Sequence, residues 1–165
     1  MNSRSLQIGF ATVLLAVFAA CGVTIQAQQA PAKSSVLVDD ETIPSAALLQ
    51  PAELVQMLRS SEKPLVLQVG SHVFFAEAHI PDSEYIGATG TSAGLQALRE
   101  RVSDLKKDQV IVIYCGCCPW GRCPNIRPAY KQLQALGFTH VRALYLADNF
   151  GTNWVDKGYP VAKGR

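Results

Sequence analysis

Apolar positions along this chain fall into short continuous runs that alternate with stripes at helical spacing. Residues 110–114, VIVIY, are an unbroken β-branched and aromatic run. Such a run predicts a strand buried on both faces, at the centre of a parallel sheet. Residues 65–69 after Pro64, a short stretch at Tyr85 and Ile86, and residues 139–146 predict further strands. Between them the period lengthens. Leu54, Val55 and Leu58 mark a helix over 50–60, with Pro51 suited to its first position. Leu95, Leu98, Val102 and Leu105 mark a second helix running to about Lys107, and Ile126, Tyr130, Leu133 and Leu136 a third, closed by Gly137. Residues 70–77 predict a loop with one helical turn, 80–83 a turn, 87–94 a loop, and Trp154 the start of a last short helical turn. Strands alternating with helices imply right-handed crossovers and a mostly parallel α/β sheet.

The first 44 residues read differently. Residues 1–27 predict an export signal: Arg4, then an apolar stretch over 8–20 that is short for a bilayer span, then polar residues 26–29. Cleavage is expected after Ala27, and an uncleaved anchor is the lesser alternative. Phe18-Ala19-Ala20-Cys21 loosely resembles a lipobox, so a lipid anchor on Cys21 is a third. Residues 28–44 are a polar linker or arm, and 45–165 the folded domain. The 165 residues are 48% hydrophobic with a net charge of +2, which excludes wholesale disorder and points to neither nucleic acid nor an anionic membrane surface. No repeat and no low-complexity tract occurs.

Export gives weight to the cysteines, because paired thiols tend to oxidise outside the cytoplasm. After the signal four remain: Cys115, Cys117, Cys118 and Cys123, all on a loop broken by Pro119, Gly121 and Pro124. A disulfide scaffold spreads its bridges over a fold, so this cluster reads as a reactive or metal-binding site. Cys115 ends the predicted central strand, where open α/β sheets bind ligands. Loop N–H groups, the following helix N-terminus and Arg122 or Arg127 would favour its thiolate. Lys131 reads as solvated charge and His79 as a turn residue; His72 and His140 carry no signal. Asp148 and Asn149 fall at the same sheet edge as Cys115 and read as capping residues. Trp120 reads equally as a pocket wall or a loop cap.

Several stretches then resemble a family. PLVLQVG followed by AHIPDSEYIG resembles the first half of a rhodanese domain. VIVIYC resembles that family's central strand ending on its catalytic cysteine. LQALGFTHVRALYL followed by NWVDKGYPV resembles its closing stretch. The resemblance covers about 51–162 in the right order. It implies a rhodanese-like fold and a sulfurtransferase that carries a sulfane sulfur as a persulfide on Cys115. Gly116, Cys117, Cys118, Trp120, Gly121 and Arg122 would bind the substrate. No cofactor or metal is expected. The partners would be a small-molecule sulfur donor and a thiol acceptor, with no nucleic acid, and a membrane only through a lipidated Cys21. The place would be periplasmic or secreted. Three departures stand out. Gln68 and Gly70 occupy the places of the family's Asp-x-Arg. The active loop is several residues longer, with three extra thiols. Cys117 to Arg122 repeats the family's Cys-to-Arg spacing.

The extra thiols admit three readings. Cys117, Cys118 or Cys123 resolves the persulfide; or Cys117 or Cys118 pairs with Cys123 in a disulfide; or all four bind a soft metal, ranked last because the spacing lacks two separated Cys-x-x-Cys knuckles. The rival to sulfur transfer is a thiol–disulfide redox protein, since Cys115-Gly116-Cys117-Cys118 resembles the thioredoxin motif. The His79–Ser83 turn argues against a thioredoxin fold but leaves redox chemistry open. N-terminal sequencing of the exported product is expected to start at Gln28. A chain still starting at Met1 removes the cleavage expectation, and a start at a lipidated Cys21 replaces it.

Overall fold

A computed structural model of the chain describes residues 43–164. The predicted export signal, Cys21 and the arm up to residue 42 lie outside the described residues. Five strands form one parallel sheet: β1 (Leu48–Leu49), β2 (Leu65–Gln68), β3 (Glu84–Tyr85), β4 (Ile111–Tyr114) and β5 (Val141–Leu144), in the order β1-β5-β4-β2-β3. The helices are α1 (Pro51–Arg59), α2 (His72–Glu77), α3 (Ser92–Val102) and α4 (Ile126–Ala135). This is the predicted α/β architecture, a parallel sheet flanked by helices.

β4 is central, and all four of its residues are buried. Its neighbours fix its register, with Leu67 opposite Ile113 and Gln68 opposite Tyr114 on one side, and Ile113 opposite Ala143 on the other. Strand side chains alternate between faces. Ile111 and Ile113 therefore pack with Leu98, Val102, Ile126, Ala129 and Leu133 of α3 and α4. Val112 and Tyr114 pack with Leu54 and Val55 of α1, Ile80, Phe150 and Trp154. Each fully buried Ile or Leu contributes about 1.5–3 kcal/mol. These two layers outweigh any surface pairing.

Boundaries differ from the sequence pattern for local reasons. α3 begins at Ser92 rather than near Leu95, because the Thr91 hydroxyl accepts the Gly94 N–H at 3.1 Å and caps the helix. Gly94 belongs there because a Cβ would lie 2.2 Å from the Ala88 carbonyl oxygen. The same helix ends at Val102 rather than near Lys107. The Ser103 hydroxyl donates to the Glu100 carbonyl at 3.0 Å and takes an acceptor at the helix end. β1 has no counterpart in the sequence reading. Its two leucines are too few to show a period, and parallel pairing to Ala143 and Leu144 makes them a strand.

The C-terminal segment returns to the domain. His79 and Ala162 exchange backbone hydrogen bonds, each 2.9 Å, and the Gly164 N–H donates to the Ala76 carbonyl at 2.9 Å. His79 is a structural residue: its Nδ1 lies 2.8 Å from the Phe75 carbonyl, and its ring stacks on Phe75 at 3.9 Å. Trp154 is fully buried and donates its indole N–H to the Pro160 carbonyl at 2.8 Å.

At the sheet edge, Arg101 of α3 holds Glu84 of β3 through two nitrogens. The Arg101 hydrogen bond sets the Glu84 carboxyl below its ordinary pKa, with burial opposing and the Arg101 charge adding. A lowered folded pKa contributes stability above the unfolded value and loses it as pH falls through the folded one. The pair is partly exposed, so Glu84→Gln is expected to cost on the order of 0.5 kcal/mol at pH 7. That difference should shrink only below the ordinary glutamate value of about 4.3 and vanish once the pH, at about 2, has fallen through the lowered folded value. Urea titrations at both pH values check it; an equal loss at both would remove the ion pair as the cause.

Candidate active site

Alternation along β4 carries past its end. Cys115 continues the face of Ile111 and Ile113, under α4, and is 6% exposed. Its sulfur sits in a ring of close neighbours. The Asn125 side-chain N–H donates to Cys115 Sγ at 3.4 Å. Cys117 Sγ lies at 3.4 Å. The buried Cys123 thiol is a further neighbour. Its interaction with Cys115, then burial, then the charge at Cys115, push it far above its ordinary pKa. Cys123 therefore stays protonated. Across the sheet, a Cβ on Gly70 would lie 2.9 Å from Cys115 Sγ, so only glycine leaves room for the sulfur.

Asn125 is what sequence reasoning missed. It is 5% exposed and stands just before α4. Its Oδ1 accepts the Gly90 N–H at 2.8 Å, and its carbonyl accepts the Thr89 hydroxyl at 2.7 Å. This locks the amide so that its N–H group is left for the sulfur. The one available signal was a lone Asn between Pro124 and an apolar stripe, which reads as an ordinary cap.

Gln68 and Gly70, which stand in place of an Asp-x-Arg pair, form a neutral knot. Gln68 Oε1 accepts the Gly70 N–H at 3.1 Å, and Gln68 Nε2 donates to the Ser71 carbonyl at 3.5 Å.

On the other face of the loop lies a cleft of about 460 Å³. Tyr114, Gly116, Cys117 and Phe150 belong to its wall, with Gln68, Asn149, Glu77 and Lys163 as polar groups. Exposed Phe74, Val155 and Val161 give it an apolar rim. Gly116 is tightly fitted, since a Cβ there would meet Phe150 Cβ at 2.9 Å. The Tyr114 hydroxyl lies 3.2 Å from the Ser83 hydroxyl and accepts the Ile80 N–H at 3.3 Å. Burial pushes its pKa up to about 12 against these bonds, which lower it, so the tyrosine stays neutral.

The loop thiols form a chain. From Cys117 Sγ it is 3.4 Å to Cys115 Sγ and 2.8 Å to Cys118 Sγ. Burial, with the Cys118 hydrogen bond second, pushes the Cys117 thiol up to about 11. All four cysteines are free thiols; Cys115 and Cys123 are buried, while Cys117 and Cys118 are partly exposed. Among the described residues no three His, Cys, Asp or Glu side chains are arranged to hold a metal ion.

Other predicted residues lie off the cleft. Trp120 donates its backbone N–H to the Ala147 carbonyl at 3.1 Å and packs on Tyr145 at 5.2 Å, which braces the loop. Gly121 and Arg122 are exposed and do not line the cleft; the lysine in its wall is Lys163. Arg127 and Lys131 ride on α4, away from the lining residues. Asn149 does reach the cleft wall. Its Oδ1 also accepts the Thr152 N–H at 2.9 Å, the capping role expected of it. Asp148 is tied to Asn153 through a 2.7 Å bond from its N–H group.

A parallel α/β domain with a thiol at the carboxyl end of its central strand defines the class. The rhodanese-like domain family model matches residues 50–146, and the chain belongs to that family. Solved structures share the fold. The crystal structure of the Alr3790 protein from Anabaena sp. aligns with a TM-score of 0.54 at 20% identity, over 70% of this chain and 92% of that one. The solution structure of the rhodanese-like domain of the same protein gives 0.54 at 20%, over 71% and 79%. The BH2092 protein from Bacillus halodurans gives 0.53 at 22%, over 70% and 75%. No curated protein matches the chain. At family level the activity is sulfur transfer or a related chemistry.

Gly70→Ala tests the fit around the sulfur. The added methyl must displace Cys115 Sγ, and overpacking of this kind costs about 1–3 kcal/mol. The urea midpoint is expected to fall, and alkylation of Cys115, followed by peptide mass spectrometry, to change in rate. An unaltered midpoint and rate would mean that the sulfur has slack.

Proposed function

We propose that this domain is an exported sulfurtransferase that carries a sulfane sulfur as a persulfide on Cys115. The observation that carries the reading is the setting of Cys115 Sγ. It is fixed by the most buried strand and met by the Asn125 N–H. A hydrogen bond to an ionised sulfur stabilises it. The same donor holds charge on the terminal sulfur of a persulfide. A rigid mount also favours a nucleophile.

In the reaction the Cys115 thiolate attacks the outer sulfur of a donor such as thiosulfate. The S–S bond of the donor breaks and sulfite leaves with its electron pair. An acceptor thiolate then takes the sulfane sulfur and restores Cys115. The donor enters by the cleft, where Gly116 and Cys117 form the inner wall and the ammonium of Lys163 attracts its charged end. The partners are thus a small-molecule sulfur donor and a thiol acceptor. Export follows from the sequence of the first 27 residues.

Whole-protein mass after thiosulfate checks the assignment. Cys117→Ser is expected to gain one sulfur, and Cys115→Ser none, because an alcohol does not ionise near neutral pH. Sulfur on Cys115→Ser but not on Cys117→Ser would move the nucleophile to Cys117. In the same assay Lys163→Ala should raise the thiosulfate needed for half-loading roughly tenfold, the worth of about 1.4 kcal/mol, while Arg122→Ala should leave it unchanged. The reverse result would return the anion site to Arg122.

A further inference from the structure

The loop holds more thiols than sulfur transfer requires, and three of them are spaced as a sequence of steps. Cys117 Sγ stands 3.4 Å from Cys115 Sγ on one side and 2.8 Å from Cys118 Sγ on the other. A disulfide bond is about 2.05 Å long, so both neighbours need only small motions of a loop to bond. Exposure divides them too. Cys115 is buried, whereas Cys117 and Cys118 are partly exposed. From these distances and this difference we infer that the loop reduces the sulfur it takes up: Cys117 resolves the Cys115 persulfide to release sulfide, and Cys118 then moves the disulfide off the buried thiol to the Cys117–Cys118 pair. The step rests on the proposed persulfide at Cys115.

The chemistry balances. In the first step Cys117 Sγ attacks Cys115 Sγ of the persulfide, and its proton passes to the departing sulfur. A Cys115–Cys117 disulfide forms, the S–S bond of the persulfide breaks, and hydrosulfide leaves with the electron pair. Two protein thiols are oxidised by two electrons and one sulfane sulfur is reduced. In the second step the Cys118 thiolate attacks Cys117 Sγ. The Cys117–Cys118 bond forms and the Cys115 thiolate leaves. Exchange favours the better-stabilised leaving thiolate, and Cys115 is the sulfur met by the Asn125 N–H. Cys117 rather than Cys123 is the resolving thiol, because Cys117 Sγ stands 3.4 Å from Cys115 Sγ and is partly exposed, whereas Cys123 is buried.

Neighbouring residues have Cα atoms about 3.8 Å apart, below the usual span of a disulfide. A bond between Cys117 and Cys118 is therefore strained, and strained, exposed disulfides are the readily reduced ones. An external low-molecular-weight thiol or dithiol protein can reset it, two thiols being oxidised to one disulfide. The buried nucleophile never meets that reductant.

The experiment is a single turnover of the fully reduced full-length protein with one equivalent of thiosulfate, without air or reductant. Sulfide is measured, and disulfides and free thiols are mapped by alkylation and peptide mass spectrometry. Wild type is expected to release close to one equivalent of sulfide. It should end with a Cys117–Cys118 disulfide and an alkylatable Cys115. Cys118→Ser should release sulfide but stop at the Cys115–Cys117 disulfide, with Cys115 blocked. Cys117→Ser should keep its persulfide and release none; Cys117→Ala repeats that result should serine disturb the loop. Wild type holding a persulfide without sulfide, sulfide from Cys117→Ser at the wild-type yield, or a wild-type disulfide ending on Cys123 would each overturn the inference while leaving sulfur uptake intact. Absence of sulfur on both Cys117 variants is a different failure: it ends the persulfide reading, and this step with it.

Discussion

Burial of β4 on both faces is the constraint from which the rest follows. A strand with no solvent side has one tolerated register, because a slip by one residue would exchange both layers of packing. The register in turn decides which way each residue beyond the strand points. Tyr114 goes to the α1 side and forms part of the cleft, and Cys115 goes to the α4 side and stays behind it. Core packing worth many kcal/mol thus sets the position of a sulfur atom whose own contacts are weak.

Those contacts are of an unusual kind. Positive charge is the common neighbour of a reactive thiol; the side chains bonded to Cys115 Sγ are the Asn125 amide and the Cys117 thiol. The amide works because it has no freedom: Oδ1 is committed to Gly90, so Nδ2 faces the sulfur. At Gln68 and Gly70 the chain likewise replaces a charge pair by a bond between an amide and the backbone. Neutral donors act at short range and are little affected by salt, whereas the ammonium of Lys163 is a charge in the cleft wall.

Fold and candidate site were legible in sequence to different depths and for different reasons. The run from Val110 to Tyr114 and the stripe from Ile126 to Leu136 carry periods long enough to read, and the structure holds a strand and a helix there. β1 was not legible, since two residues show no period and their strand character comes from β5. At the site, sequence marks residue types and spacing along the loop. It does not mark partners brought in from afar. Asn125 reads as a cap until its amide is seen against a sulfur ten residues back. Lys163 lies 46 positions beyond Cys117 and shares a cleft wall with it only because the C-terminal segment returns to His79. The spacing that drew attention to Arg122 is real, but the enlarged loop leaves that side chain exposed.

The bridge between His79 and Ala162 also gives the molecule an order in time. A chain leaves the ribosome from its N-terminus at about 5–20 residues per second, and contacts distant in sequence close late. The thiol loop is therefore complete some forty residues before Ala162 is available to fasten the far wall. For that interval β4 lacks the Phe150–Trp154 side of its packing, and four reduced sulfurs stand beside an unfinished pocket. Premature oxidation within the loop would arise then rather than in the native state. The last few residues, remote from the chemistry, act as the latch that ends this period of risk.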